Sequence, residues 1–372
     1  MNRPNSITTT FHRSYNYGAT LQAYALQQSL LKIGFDNKIL DFTRNPYEKL
    51  PLFSGKIKKD LARLMLRFIA LFHAKEKKRL VNAFDRFTDK YLRLTSKYDD
   101  LNKLNEDELS ADCFFTGSDQ ILTLRESELV VNRNLLCFVK KARKYSYAAS
   151  LADYDLNNEE KNKLSYCLND FEIVSLREKE AQDYLTSFVN IQFRVDVDPV
   201  FLIDAASWCS LAIQPNFKED YILYFQVNSN PRAQVVVDAV KNRYKCPVVC
   251  LQTNPMVRIK ADKVVLDASP EEFIGWIQNA KIVITTSFHG TAFSILLHKE
   301  FFTLTKAKSN PVRISNLLRQ VHLEERMIDC AEKINSVEAI DWDTTDMLVG
   351  QCKKNSMDYL QSVYNAVKKQ KR

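Results

Sequence analysis

The chain has 372 residues, 45% hydrophobic and 26% charged, which fits a folded protein of one large or two ordinary domains. This composition excludes a disordered tail, a collagen-like fibre and a small disulfide scaffold, and no run approaches the ~18 uninterrupted apolar residues of a membrane span. The formal net charge of +8 is uneven: Lys56 to Arg79 holds nine basic and two acidic residues, a net +7.

The first ten residues are polar and lack the apolar core of a signal peptide, which predicts a cytoplasmic protein. Residues 6–11 are short and β-branched, a buried strand. Leu21, Tyr24, Ala25, Gln28 and Leu31 then share one face of a helix over 19–33, with Gly34 where a C-terminal cap belongs. Residues 37–42 read as a second strand, and this βαβ opening predicts an open, mostly parallel sheet. The basic segment follows. Apolar residues recur at helical spacing from Leu61 to Phe72, so about 56–92 reads as a basic helical insertion. Its stripe either packs on the core or lies on the anionic inner face of the cell membrane. No nucleic-acid-binding motif accompanies the charge, so no nucleic-acid partner is expected.

Further strands are predicted at 113–116, 144–150, 172–176 and 190–197, with a helix at 158–170. Residues 203–218, with Trp208 and Pro215, read as a linker. In a second series, strands at 221–226, 248–252, 281–285 and 301–304 alternate with helices at 231–243, 269–280 and 290–297. Ser269-Pro270-Glu271-Glu272 opens the middle helix with an N-cap, a first-turn proline and an acidic third position. A last helix is expected from about 355 to the basic C-terminus. Two α/β halves, 1–204 and 205–354, would face each other across a cleft, with the site at their strand ends.

Glycine is scarce, seven in all, and neither G-x-G nor a phosphate-binding loop occurs. The dinucleotide fingerprint and the P-loop are thereby excluded. The eight cysteines include no C-x-x-C, so Cys246 and Cys250 read as reduced core thiols, and no metal-ligand spacing is seen.

Three strand ends carry candidate chemistry. At Ser287-Phe288-His289-Gly290 a strand gives way to a helix whose free N–H groups attract an anion, Gly290 letting it approach. His289 there can donate to the anion or exchange a proton, unless it merely caps the strand end; Ser287 binds the anion or caps the helix. Ser118 and Asp119 follow the 113–116 strand, Asp119 as a base or as a cap. The loop 11–18, with Asn16, Tyr17 and Gly18, can hold a sugar or be simply solvated. Arg177 opens a helix, where the dipole disfavours a cation; either an anion sits beside it or it pairs with Glu178 or Glu180. Lys306, Lys308 and Arg313 add positive charge near the same face.

In series these segments resemble the polysaccharide pyruvyl transferase family. The resemblance rests on Asn16-Tyr17-Gly18 with its Ala/Leu/Gln-rich helix, Gly117-Ser118-Asp119-Gln120, Tyr147-Ala148-Ala149-Ser150, Ser175-Leu176-Arg177-Glu178, Asp198-Pro199, Trp208 and Ser287-Phe288-His289-Gly290, in the family's order over about 6–320. Some branches carry Arg-Leu-His where this chain has Ser287-Phe288-His289. Many carry Val-Trp-Asn where it has Ile121-Leu122-Thr123. The resemblance implies a GT-B-like α/β fold of two Rossmann-like domains. It implies phosphoenolpyruvate as co-substrate, no further cofactor, and a hexose of a bacterial polysaccharide or its lipid-linked precursor as acceptor. Arg177 and His289 would serve the donor, with Ser287, Gly290, Arg313 and Lys306 around it; Asp119 would assist catalysis, and Asn16, Tyr17, Gly18 and Ser118 would meet the acceptor. The competing readings are a glycosyltransferase using a nucleotide sugar and a non-catalytic glycan-binding protein on the same fold.

Overall fold

The computed structural model describes residues 3–42, 72–98, 104, 106–151, 154–227, 229–256, 259–305 and 312–370. Lys306, Lys308, Arg63, Arg67 and the apolar stripe at 61–71 lie outside the described residues.

Short runs of β-branched, aromatic and aliphatic residues form the strands, and most are buried on both faces, as parallel sheets covered by helices require. In the first half, β1 (Asn5–Thr9), β2 (Asp36–Ile39), β3 (Cys113–Thr116) and β4 (Arg143–Ser146) pair in parallel in the order β2-β1-β3-β4. The parallel pair β5 (Val174–Leu176) and β6 (Phe193–Val195) continues this sheet through bridges Tyr145↔Ile173 and Ala149↔Leu176. In the second half, β7 (Ile222–Phe225), β8 (Val248–Leu251), β9 (Lys263–Val265), β10 (Ile282–Thr285), β11 (Phe301–Leu304) and β12 (Met327–Ile328) run parallel in the order β12-β11-β10-β7-β8-β9. Strand order reverses between β1 and β3 in one sheet and between β7 and β10 in the other. These reversals open the crevices where doubly wound sheets bind ligands. The expected two-sheet α/β architecture is present; β9 and β12, three and two residues long, were not legible in the pattern.

The helix Tyr17–Ile33 begins at Asn16, whose side chain accepts from Ala19 N, and ends at Gly34 in a positive-φ cap. It is buried along most of its length because it packs against both halves, including the helix Phe288–Leu296. The helix Ala74–Tyr91 buries Leu80, Ala83, Phe84 and Phe87, with Phe84 against Tyr17 and Phe87 against Tyr24. This described part of the basic insertion is therefore a core-packed helix, with Lys75, Lys77 and Lys78 on its exposed face.

Two boundaries differ from expectation. Residues 203–218 are no plain linker: they contain the helix Ala205–Leu211, which plants a fully buried Trp208 between the halves. Its indole N–H donates to Val200 O at 3.0 Å, and its ring meets Tyr24 and Phe293. The last helix starts well before 355, at Trp342, and runs to Gln370. Trp342 stacks on His298 of the second half, while Tyr359 donates to Ser146 O of the first at 2.9 Å. Its first turns lack a continuous apolar stripe, which is why the pattern marked only its end.

Trp208→Ala should lower the unfolding free energy by about 3–5 kcal/mol through the cavity left behind. Denaturant melts of the two proteins measure it; an unchanged midpoint would mean that the two halves do not depend on this contact.

Candidate functional site

The site forms where ends of the first sheet meet the start of the helix Phe288–Leu296. Asp198 is its hub. It follows β6 and caps a short 3-10 turn, Oδ1 accepting from Val200 N at 3.1 Å, with Pro199 at the first position where no N–H is needed. Its Oδ2 accepts from Arg177 Nη1 at 2.7 Å and from the Ser118 hydroxyl at 3.3 Å, and lies 3.5 Å from His289 Nε2. Burial opposes ionisation of Asp198, but His289 and Arg177 outweigh it and hold the carboxyl well below the usual range.

Arg177 leaves the end of β5 almost fully buried. Its Nε donates to Glu178 Oε1 at 3.0 Å, and its guanidinium lies 4.3 Å from the centre of the Phe288 ring. Burial works against its charge, yet Glu178, Asp198 and Asp119 keep it firmly protonated. Arg177 Nη2 has no hydrogen-bond partner among the described residues and lies 4.0 Å from Asp119 Oδ1. The Arg313 Nη1 atom approaches the same oxygen at 3.9 Å from the helix Val312–Gln320. Glu178 also accepts from Ser150, and its other oxygen is unbonded; burial pushes its carboxyl upward. A Tyr154 hydroxyl, likewise unbonded, sits near enough for Glu178, Arg177 and Arg313 to act on it.

His289 joins the cluster from the second half. Its Nε2 is buried and faces Asp198 Oδ2 at 3.5 Å, and its ring lies so close to Gly18 that a Cβ there would come within 2.0 Å of Nδ1. That close approach requires glycine at 18.

Of the predicted residues, His289, Asp119, Ser118, Arg177 and Arg313 are therefore together. Arg177 pairs with Glu178, one of its two sequence readings, while its Nη2 lies 4.0 Å from Asp119 Oδ1. Asp119 caps no helix; it stands in a positive-φ turn, and Ser150 N donates to its carbonyl. Ser287 is the N-cap, accepting from Gly290 N at 3.4 Å, so that amide is occupied. Gly290 admits Thr285 and Phe225 rather than an anion, since a Cβ would fall 2.3 Å from Thr285 Oγ1. Tyr17 is buried, stacked on Phe273 with its hydroxyl donating to Ala268 O at 2.9 Å, so that hydroxyl is already engaged within the protein. The loop 11–16 is tied down by Arg13 and His12 on Asp41 rather than simply solvated. Asp198 and Glu178 were not assigned roles from sequence. Asp-Pro after a strand was the available signal for the first. Among the described residues, no group of three or more His, Cys, Asp or Glu side chains has metal-binding geometry.

Asp198→Asn should cost about 3–5 kcal/mol near neutral pH by leaving Arg177 without its carboxylate. The lowered folded-state value puts Asp198's stabilisation fully in place above the ~3.9 of an unfolded aspartate and removes it as pH falls further. The wild-type advantage in denaturant melts should therefore shrink below about pH 4; a gap constant from pH 7 to 3 would mean that Asp198 is not ionised in the fold.

Comparison with known proteins bears on the fold and on the family. A putative UDP-N-acetylglucosamine 2-epimerase from Listeria monocytogenes superposes with TM-score 0.54 at 11% identity, covering 94% of this chain and 91% of that one. The UDP-GlcNAc 2-epimerase from Neisseria meningitidis bound to UDP-GlcNAc gives 0.52 at 12%, covering 98% and 97%. A glycosyltransferase from Rickettsia africae gives 0.51 at 9%, covering 99% of each. At such identities these establish the fold, which is GT-B-like. No curated protein matches the chain. The model of the polysaccharide pyruvyl transferase family matches residues 16–305, a span running from the Asn16 cap through β11 and taking in Ser118, Asp119, Arg177, Asp198 and His289. With its sequence motifs converging on one buried cluster, the chain belongs to the polysaccharide pyruvyl transferase family.

Proposed function

We propose that the protein transfers pyruvate from phosphoenolpyruvate to a hexose of a bacterial polysaccharide or its lipid-linked precursor, forming a pyruvate ketal and releasing phosphate. The observation that carries this reading is the convergence of Arg177 and His289 on one Asp198 oxygen, with Arg177 Nη2 buried and making no hydrogen bond among the described residues. A buried donor without a partner costs stability and is retained where a ligand supplies the acceptor.

The donor carries a carboxylate and a phosphate. Arg177 and Arg313 hold Asp119 only at 4.0 and 3.9 Å, looser than the 2.7 Å contact to Asp198, so an anion can take that place without breaking the core pair. Transfer requires a proton on the methylene carbon, leaving oxocarbenium character at C2. One hydroxyl adds, phosphate departs, and the second hydroxyl closes the ring. The two hydroxyl protons balance the one gained by carbon and the one leaving on phosphate. His289 is the group suited to carry a proton between these steps, with Asp198 orienting its ring. Asp119, once released by the arginines, can accept from a sugar hydroxyl. The retained pair of Arg177 and His289 argues for an enzyme over a non-catalytic glycan binder.

His289→Ala and Arg313→Ala should each cut phosphate release from phosphoenolpyruvate and a hexose glycan by about ten- to a hundred-fold, the worth of one charge-assisted hydrogen bond. Wild-type turnover in both would remove them from the reaction. Nucleotide release from nucleotide sugars, and no phosphate release from phosphoenolpyruvate, would replace this function by glycosyl transfer.

A lipid-linked acceptor would bring the protein to an anionic membrane. No helix among the described residues is long and apolar enough to cross one, but Lys75, Lys77 and Lys78 stand exposed on the helix Ala74–Tyr91. Sedimentation with anionic vesicles should fall with added salt and on changing these three lysines to Gln. Equal binding to neutral vesicles at low salt would dispose of the membrane contact.

A further inference from the structure

A second cavity adjoins the ionic cluster and differs from it in chemistry. It has a volume of about 250 Å³ and lies where Asn16 and Tyr17 of the first half face Phe225, Gln226, Ser229, Thr253 and Asn254 of the second. These last residues follow β7 and β8, beside the point where the second sheet reverses order. The two sites share a wall. Gly18, next to Tyr17, carries the His289 ring on its other side, and Phe225 packs against Gly290.

None of the described residues that line it is charged. Three are carboxamides whose oxygens the protein already uses. Asn16 Oδ1 accepts from Ala19 N at 3.3 Å, Gln226 Oε1 from the Tyr224 hydroxyl at 2.9 Å, and Asn254 Oδ1 from Met256 N at 3.0 Å. Each oxygen has one lone pair committed to the protein, so each carboxamide offers its NH2 group as a donor and at most one further lone pair as an acceptor. The cavity thus combines fixed neutral donors, the Ser229 and Thr253 hydroxyls, and aromatic walls. A purely apolar ligand would leave the donors unpaired. A sugar ring supplies what is missing: acceptor oxygens around its edge and an apolar C–H face. The volume lies below the ~300–1,000 Å³ of sites for drug-sized ligands and suits a single ring.

We propose that this cavity is the acceptor subsite and binds one neutral hexose, whose oxygens accept from the amide groups of Asn16, Gln226 and Asn254. The proposal rests on the glycan acceptor inferred above. It keeps Asn16 of the loop at 11–18 and adds strand ends of the second half, so that Gln226 and Asn254 set which hexose is taken. Bound there, the sugar lies beside Phe225 and next to Gly18, which pack against Gly290 and His289.

The test is saturation-transfer NMR of the full chain with the methyl glycosides of glucose, galactose, mannose and N-acetylglucosamine. At least one should bind wild-type protein and Arg313→Ala alike, and the Gln226→Ala/Asn254→Ala double variant should bind it at least ten-fold more weakly. If the double variant loses its melting transition, the isosteric Asn254→Asp, which swaps the donor for an acceptor, should show the same loss. Binding of none of the four, unchanged binding in the variants, or binding of UDP-sugars alone would overturn the proposal. Phosphate release from phosphoenolpyruvate is scored separately: its absence beside persistent hexoside binding would defeat the donor assignment and leave this subsite standing.

Discussion

A buried carboxylate must be paired or it will not stay ionised, and Asp198 meets that constraint with residues from two other strand ends and one helix start. Arg177, Ser118 and His289 all converge on one of its oxygens while the other caps the turn that begins at Pro199. The pairing fixes Arg177, and Arg177 in turn fixes Glu178 and lies on the Phe288 ring. Because Phe288 and His289 begin a helix of the second half, the electrostatics of one sheet are completed by the other. The relative placement of the halves and the placement of the reactive groups are one problem with one solution.

The supporting residues explain motifs that look arbitrary in sequence. Tyr147 donates to Val197 O, Ala148 O accepts from Ser118, and Ser150 donates to Glu178. Ser175 supports Ala148 N and donates to Asp196. Each member of Tyr147-Ala148-Ala149-Ser150 and Ser175-Leu176-Arg177-Glu178 with a polar side chain thus holds a group next to Asp198 or Arg177.

Much of this was legible beforehand, and the physical reason is locality. A strand such as 113–116 or 301–304 and a cap such as Ser269 or Gly34 are decided within a few residues, and their bounds were read closely. Arg177 and His289 were legible because strand ends are where doubly wound sheets put their chemistry. What stayed hidden depends on partners far along the chain. Asp198 meets its ligands 21, 80 and 91 positions away only after folding. Ser287, Gly290 and Tyr17 have the residue types of a binding loop, and only the packed structure shows their polar groups spent on capping or on Ala268, and their small size spent on Thr285. Trp208 looked like part of a linker because one buried ring in a polar stretch carries no period.

The last helix has a consequence for how such proteins can be recombined. It starts beside His298 and finishes on the first sheet, where Tyr359 and Tyr364 fill the space next to Ser146 and Phe35. The first half is therefore discontinuous in sequence, closed by residues that follow the second half. A chimera cut at the boundary near 204 would pair one parent's sheet with the other parent's closing helix. Exchange of substrate-binding halves between relatives thus needs two crossovers, one before β7 and one within the last helix, and a single crossover leaves a mismatched core.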